Sequence, residues 1–467
     1  MSQLVGLLAL PLLTRLYTPD DFGVFGVFSG ILALVTVVAS LRYALAVPLP
    51  RYDGAAMHVV AMAGMVVCLV ALLTAVVQVV VEPFMPAELQ ALPSGLVAGL
   101  MMLGVLTAGW YQVGSSWAIR QSEHGVIAKT RMQQGFIGAG AQFGFGLIGA
   151  GPLGLIVGLL LGQLAGLHRL TVNLFTHYKS RYYSIHWRGV RWAALRYRRF
   201  PIYDSWAAAL NSASAHAPAV LFAVLFDPKL AGFYVLAVRL ISAPIGLVGS
   251  SISLAIHPRI VEAKFKGELV VLIRNVLRFL VRGSFVPFAV FIVIAPEMFA
   301  YIFGAEWREA GNVASWTALW VAWQFIYSPL SVLHLGLETQ KTHLVLQLLF
   351  FVLRVGGIVV GYIYGSADLA LLLFSLMSML SYMGGVLVLL YMAGLTRYMI
   401  VHDLLKDLII AFLVFALLFI VLVKFGMTWV LVLAACVLVG YLVGMYSLVG
   451  SNKADVILGD ASDEFKM

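Results

Sequence analysis

The sequence predicts an all-α polytopic membrane protein with about fourteen transmembrane helices, and three observations support that class. Of the 467 residues, 62% are hydrophobic and only 11% are charged, too little polar surface to clothe soluble domains. The mean hydropathy is +0.98. The apolar residues form continuous runs of about 20 or more, the length a helix needs to cross a bilayer, rather than the alternating ten-residue segments of a transmembrane barrel. A soluble enzyme is thereby excluded.

Apolar runs bounded by charged or Gly/Pro-rich connectors give spans at 2–17, 22–47, 55–81, 95–118, 132–150, 152–175, 201–226, 230–257, 279–303, 310–337, 343–364, 367–393, 404–424 and 427–449. The first is short, about 24 Å at 1.5 Å per residue against a hydrocarbon core of about 30 Å, so its natural beginning is expected upstream of Met1. No basic segment precedes it, and it reads as a retained helix rather than a cleaved signal. The formal net charge of +9 does not indicate nucleic acid, because no domain outside the membrane presents a basic face. Cys68 and Cys436 both fall in apolar runs and offer neither a disulfide framework nor a metal cluster.

Lysine and arginine placement orients the spans. With the N-terminus in the cytoplasm, 24 of the 30 basic residues fall on the cytoplasmic side, including the tail. Arg15, Lys229, Arg308 and Lys424 fall opposite, and Arg239 and Arg354 lie within spans. Both termini are therefore expected in the cytoplasm.

An internal repeat appears at an offset of 209, where Tyr17, Pro19, Gly23 and Phe25 align with Phe226, Pro228, Gly232 and Tyr234. Six crossings separate the copies, an even number, so the halves run parallel and relate by an axis along the membrane normal. Transporters with a substrate path between their halves share that arrangement.

The stretches Pro11-Leu-Leu-Thr-Arg-Leu-Tyr-Thr-Pro-Asp-Asp-Phe-Gly23, Ala39-Ser-Leu-Arg-Tyr43, Val47-Pro-Leu-Pro50, Gly154-Leu-Ile-Val-Gly158 with Gly162-Gln163, Tyr197-Arg-Arg-Phe-Pro201, Ala231-Gly-Phe-Tyr234, Phe303-Gly-Ala-Glu-Trp307 and Ser328-Pro-Leu-Ser331 occur in that order. As an ordered set over roughly residues 1–365, they resemble bacterial lipid-linked oligosaccharide flippases, the Wzx-like polysaccharide transport branch of the MOP superfamily. Ala44 departs from that pattern, standing where relatives often carry glutamate. The resemblance implies two six-helix bundles with pseudo-twofold symmetry around a V-shaped cavity, plus two C-terminal helices. The corresponding regions are an N-terminal lobe at 1–176, a basic connector at 177–200, a second lobe at 201–393, and two helices with a tail at 394–467. It further implies alternating access in the bacterial inner membrane, with an undecaprenyl-pyrophosphate-linked oligosaccharide repeat unit as cargo for lipopolysaccharide or exopolysaccharide synthesis. The partners it implies are membrane lipids, a polysaccharide polymerase and a chain-length regulator, and no nucleic acid. No cofactor is expected beyond a coupling ion, H+ or Na+.

Such a cargo needs a polar, cationic path through hydrocarbon. Arg354, at the middle of its span, and Arg239, about 14 Å from the periplasmic edge by helix rise, are the deepest cations and the first candidates to meet the pyrophosphate. A buried structural ion pair is the plainer reading of each. Arg42, expected near the cytoplasmic end of the second span, is a further substrate candidate, although snorkelling explains it almost equally well. Arg278 and Arg282 read as topology anchors. Trp316, Trp320, Trp323 and Tyr327 share one helical face and could stack on sugar rings, with plain packing as the alternative. Trp110, Tyr111, Gln112 and Trp117 form a less regular group. Asp204 and Glu297 are the acids within central spans and the candidates for ion coupling. The segment from His177 to Arg199, basic and aromatic, reads as an interfacial connector able to attract an anionic lipid or a partner enzyme. Pro218, Pro244, Pro287 and Pro329 could break or kink their spans.

No Walker loop, H-E-x-x-H or G-x-S-x-G sequence occurs, so the sequence indicates no enzyme. The alternatives are a multidrug or metabolite antiporter of the related MATE-type branch, which would show a deep carboxylate, and a membrane-embedded polymerase or ligase, which would need a large periplasmic loop.

Overall fold

The computed structural model describes residues 2–81, 94–177, 185–337 and 339–450. Residues 178–184 of the basic connector and the tail beyond residue 450 lie outside the described residues. The described regular structure is helical throughout. In chain order the helices are α1 Ser2–Leu13, α2 Pro19–Val38, α3 Asp53–Val81, α4 Ser94–Arg120, α5 His124–Leu147, α6 Gly151–His177, α7 Trp187–Arg196, α8 Ser205–Leu225, α9 Pro228–Ile241, α10 Ser250–Lys266, α11 Leu269–Phe303, α12 Arg308–Leu330, α13 Leu333–Gly336, α14 Gln340–Ile363, α15 Ala367–Met392, α16 Arg397–Phe425 and α17 Met427–Gly450. Among the described residues, nine helices are long and apolar enough to cross a bilayer on length and composition alone. The chain forms two compact units, Met1–Leu236 and Ala237–Met467.

In the first unit, the Thr18-Pro19-Asp20-Asp21 sequence starts α2 with a reciprocal cap. The Thr18 hydroxyl accepts from the Asp21 backbone N–H at 3.3 Å, and the Asp21 carboxylate accepts from the Thr18 backbone N–H at 2.9 Å. Proline at the first helical position costs nothing there, because that N–H has no partner within the helix. The Tyr17 hydroxyl donates to the Gln142 carbonyl at 2.6 Å and fastens this turn to α5. Where α5 meets α6, a Cβ on Gly162 would lie 2.7 Å from the Gln134 carbonyl oxygen, so a side chain there would hold the backbones apart. The Val47-Pro-Leu-Pro50 stretch folds around Arg120, whose guanidinium donates to the Pro48 and Pro50 carbonyls at 3.1 and 2.5 Å and to Asp53 at 3.0 Å.

Two expected spans are corrected. The second, read as 22–47, ends as α-helix at Val38: Leu41 (φ 44°) and Arg42 (φ 63°) turn left-handed, and a tight helical turn follows at Tyr43–Ala46. The eighth, read as a continuous 230–257, is interrupted after Ile241 and passes Pro244 into a wide turn at Ile245–Gly249 before α10. Proline removes a backbone donor and clashes with the preceding turn, which accounts for a break at that place. Pro218, Pro287 and Pro329 instead lie inside the continuous helices α8, α11 and α12.

In the second unit, α11 is 35 residues long, about 52 Å at 1.5 Å per residue, and so overruns the hydrocarbon core. Its basic end anchors α16. Asp403, its side chain 2% exposed, accepts from Arg274 Nε at 2.6 Å and from Arg278 Nη2 at 2.9 Å. The Tyr441 hydroxyl of α17 donates to the Arg282 carbonyl at 2.7 Å. The two C-terminal helices are thus tied to α11 by polar contacts, and Val290 and Val293 of α11 pack in one apolar cluster with Leu418, Val430 and Ala434.

Candidate functional site

In α12, the spacing of four, three and four turns Trp316, Trp320, Trp323 and Tyr327 toward one side, and three of the four are buried by neighbouring helices. Trp320 stacks on Tyr382 of α15, with ring centroids 5.9 Å apart and planes within 16°, and meets Phe374 edge-on at 6.0 Å. Trp323 packs edge-on against Phe285 of α11 at 5.1 Å, and Tyr327 packs between Phe350 and Tyr382 at 5.5 and 5.6 Å. Trp316 is different: it is 44% exposed.

Arg354 of α14 closes this aromatic box. Its guanidinium carbon lies 4.5 Å from the Tyr382 ring centroid and 5.5 Å from that of Trp320. The π faces carry partial negative charge and attract the guanidinium; such a contact contributes about 2 kcal/mol when desolvated. Arg239, at the last turn of α9, is exposed. The two arginines therefore occupy different surroundings: Arg354 packs against aromatic rings, whereas the Arg239 side chain keeps accessible surface while protein encloses it on its other sides.

Trp316 and Trp323 also line a groove of about 780 Å3 in the second unit. Its walls are Phe285, Phe288 and Ile292 from α11, Leu319 from α12, Met379 from α15, and Leu408, Phe412 and Phe415 from α16. Polar groups enter its lining from the starts of α12 and α15: Glu309, Asn312 and Asp368, with the Asn312 amide donating to Glu309 at 2.9 Å. Aromatic and aliphatic walls with a few polar groups at one end suit an amphiphile.

The remaining candidates are paired in ways the sequence did not indicate. Arg42 and Asp204, 162 residues apart, form an ion pair with Nε to Oδ2 at 2.9 Å, joining the end of α2 to the start of α8. One substrate candidate and one coupling candidate are thus each other's partners. Glu297 pairs with Arg308 across the α11–α12 turn. The fourth-span group serves packing: the Gln112 amide donates to the Thr36 carbonyl at 3.0 Å, Tyr111 and Thr130 share a 3.1 Å hydroxyl contact, Trp110 lies against Gly64, and Trp117 is buried.

Helix α7 buries Gly189, Val190 and Ala193, and a Cβ on Gly189 would strike the His58 ring of α3. His58 and His186 meet ring nitrogen to ring nitrogen at 3.2 Å, and the Tyr43 hydroxyl donates to the Ala194 carbonyl at 3.1 Å. Helix α7 of the basic connector is therefore docked against the rest of the first unit along one face.

Several contributors were missed in the sequence. Tyr382, the ring nearest Arg354, follows three buried serines at 375, 378 and 381, a polar line in an apolar run that could have marked its face. Asp403 and Asp407, four apart on α16, stand against Arg274, Arg278 and Arg282, four apart on α11, a complementary spacing that the sequence itself displays. Phe412 and Phe415 carry no signal that separates a groove wall from lipid contact.

A family model described as "Polysaccharide biosynthesis protein" matches residues 12–312. The chain belongs to that family. The resemblance read from the sequence is borne out, since the matched region takes in most of the motifs that carried it. No curated protein sequence matches the chain. Among solved structures it is similar to the Lipid II flippase MurJ in its inward closed conformation, with a TM-score of 0.72 at 13% identity over 98% of both chains. It is also similar to a MATE in the bent conformation, at TM-score 0.48 and 13% identity over 85% of this chain and 99% of that one. A MOP superfamily transporter from Pyrococcus furiosus is similar at TM-score 0.46 and 14% identity over 85% of this chain and 95% of that one. The likeness to MurJ shows the fold, a fourteen-helix membrane architecture. This polysaccharide biosynthesis family member thus has the fold of a flippase.

Proposed function

We propose that this family member moves a polyprenyl-pyrophosphate-linked oligosaccharide from the cytoplasmic to the periplasmic leaflet of the bacterial inner membrane, by alternating access and without a chemical step. The observation that carries this reading is the groove of the second unit, apolar along its walls and polar where α12 and α15 begin. A cargo with a long hydrocarbon tail and a hydroxyl-rich head has the same division of polarity. The tail would lie against Phe285, Phe412 and Phe415, and the head would reach toward Asn312, Glu309 and Asp368, with Trp316 offering an exposed ring to a sugar face. The 24-to-4 split of basic residues favours both termini in the cytoplasm. On that orientation, the polar end of the groove faces the periplasm.

Arg239, which keeps accessible surface but does not line the groove, is the better of the two deep arginines to meet the pyrophosphate before the cargo settles in the groove. Arg354 supports the aromatic box instead. Asp204 and Glu297, each held by an arginine, serve as positioning groups. The test is complementation of a flippase-null strain, with polysaccharide output normalised to membrane abundance. Arg239→Ala and Trp316→Ala should lower output while Trp110→Leu, outside the groove, should lower it less. Full output from both groove and arginine variants would overturn the reading.

A further inference from the structure

Between Glu123 and Asp204 the chain carries ten Lys and Arg and no Asp or Glu. The C-terminal end of α7 gathers part of this charge around a recess of about 650 Å3 lined by Trp192, Leu195, Arg196, Arg198 and Arg199. Among the described residues none of these three arginines is ion-paired, and Asp204, the next acid along the chain, is already held by Arg42. The helix C-terminus contributes a negative partial charge of roughly half a unit, which three guanidinium groups outweigh. The recess is also fixed in place, because α7 docks on α3 through Gly189 and His186 and its Ala194 carbonyl accepts from Tyr43.

We infer that this recess is a binding site for the phosphate of a membrane lipid headgroup. Guanidinium groups bind phosphate oxygens through paired N–H donors, and three of them around one recess can surround such a group. The surroundings identify a lipid as the carrier. Trp187 is 70% exposed, Leu195 59% and Trp206 75%, apolar surface that water would not favour and a membrane interface would. Of the apolar side chains, Trp192 and Leu195 line the recess together with the arginines, and Trp187 starts the same helix. The inference holds whether or not the cargo reading does, because it concerns a resident anionic lipid on the leaflet that α7 touches.

The test uses the full-length protein in a neutral detergent, with phosphatidylglycerol, phosphatidylcholine and inorganic pyrophosphate as probes and bound lipid counted by native mass spectrometry. The triple variant Arg196→Gln, Arg198→Gln, Arg199→Gln should bind phosphatidylglycerol about tenfold more weakly, and the double variant Arg188→Gln, Arg191→Gln, on the same helix but outside the recess, should stay within about twofold of wild type. A triple Lys variant, which keeps the charge and loses the fork, should fall between them and serves as the probe if the Gln triple does not fold. Equal loss in the double and triple variants would show diffuse attraction and overturn the site. Displacement of phosphatidylglycerol by pyrophosphate supports a phosphate in the recess, and failure to displace it assigns binding to the acyl chains and overturns the site. Tighter binding of pyrophosphate than of phosphatidylglycerol would overturn the lipid source.

Discussion

Gly23 and Gly232 approach each other's helices so closely that neither can carry a side chain. A Cβ on Gly23 would collide with the carbonyl of Pro228, and a Cβ on Gly232 with the carbonyl of Pro19. These are the Pro and Gly of the two repeat copies, each Pro meeting the other copy's Gly. The obstruction is backbone, which cannot rotate away, so Gly23→Ala and Gly232→Ala should each lower stability by about 1–3 kcal/mol. Gly140→Ala is the control, since a Cβ there meets nothing within 4 Å. It should be neutral or stabilising by up to about 1 kcal/mol, through helix propensity. Melting in detergent decides it, and Gly23→Ala melting like Gly140→Ala would contradict the contact.

The aromatic stripe of α12 separates into two behaviours. Trp320 is buried against Tyr382 and Phe374, so Trp320→Ala should destabilise the second unit by about 3–5 kcal/mol. Trp316 is 44% exposed and lines the groove, and Trp316→Leu should leave stability within about 0.5 kcal/mol while lowering polysaccharide output. Melting and complementation on the same preparations check both. A stable Trp320→Ala variant would undo the assignment of that ring to packing.

Hydropathy made most of the spans legible because bilayer thickness acts on each segment separately. The repeated turn was legible because Pro and Gly constrain backbone locally. Periodicity correctly put Trp316, Trp320, Trp323 and Tyr327 on one side of a helix, yet it holds no information about what the side faces; Tyr382 and Phe350 come from other helices. The apolar flanks of Arg42 predict a continuous helix, whereas a partner 162 residues away and two left-handed residues end the helix early. Pairings over such separations leave no trace in a single sequence unless spacing on both partners matches, as it does for Asp403 and Asp407 against the α11 arginines.

Arg354 and Tyr382 should prove energetically coupled. In a double-mutant cycle with Arg354→Met and Tyr382→Leu, the interaction should come to about 1–2 kcal/mol, the range for a desolvated cation over a ring face. Methionine retains much of the volume, so the cycle reports charge on ring rather than a cavity. Additive effects would place the guanidinium's stabilisation elsewhere.

Arg42 allows strain and charge to be separated. Its left-handed backbone, φ 63°, costs an L-residue about 1–2 kcal/mol, while an ion pair as exposed as Arg42–Asp204, with side chains 31% and 44% accessible, contributes about 0.2–1 kcal/mol. The strain is the larger quantity. Arg42→Ala loses the pair and keeps the strain, so it should be less stable than wild type by at most about 1 kcal/mol. Arg42→Gly loses the pair and relieves the strain, because glycine enters the left-handed region freely, so it should match or exceed wild type and melt above Arg42→Ala. If the turn positions the start of α8 for transport, both variants should lose polysaccharide output despite their opposite effects on stability. Output that follows melting temperature instead would assign Arg42 to stability alone.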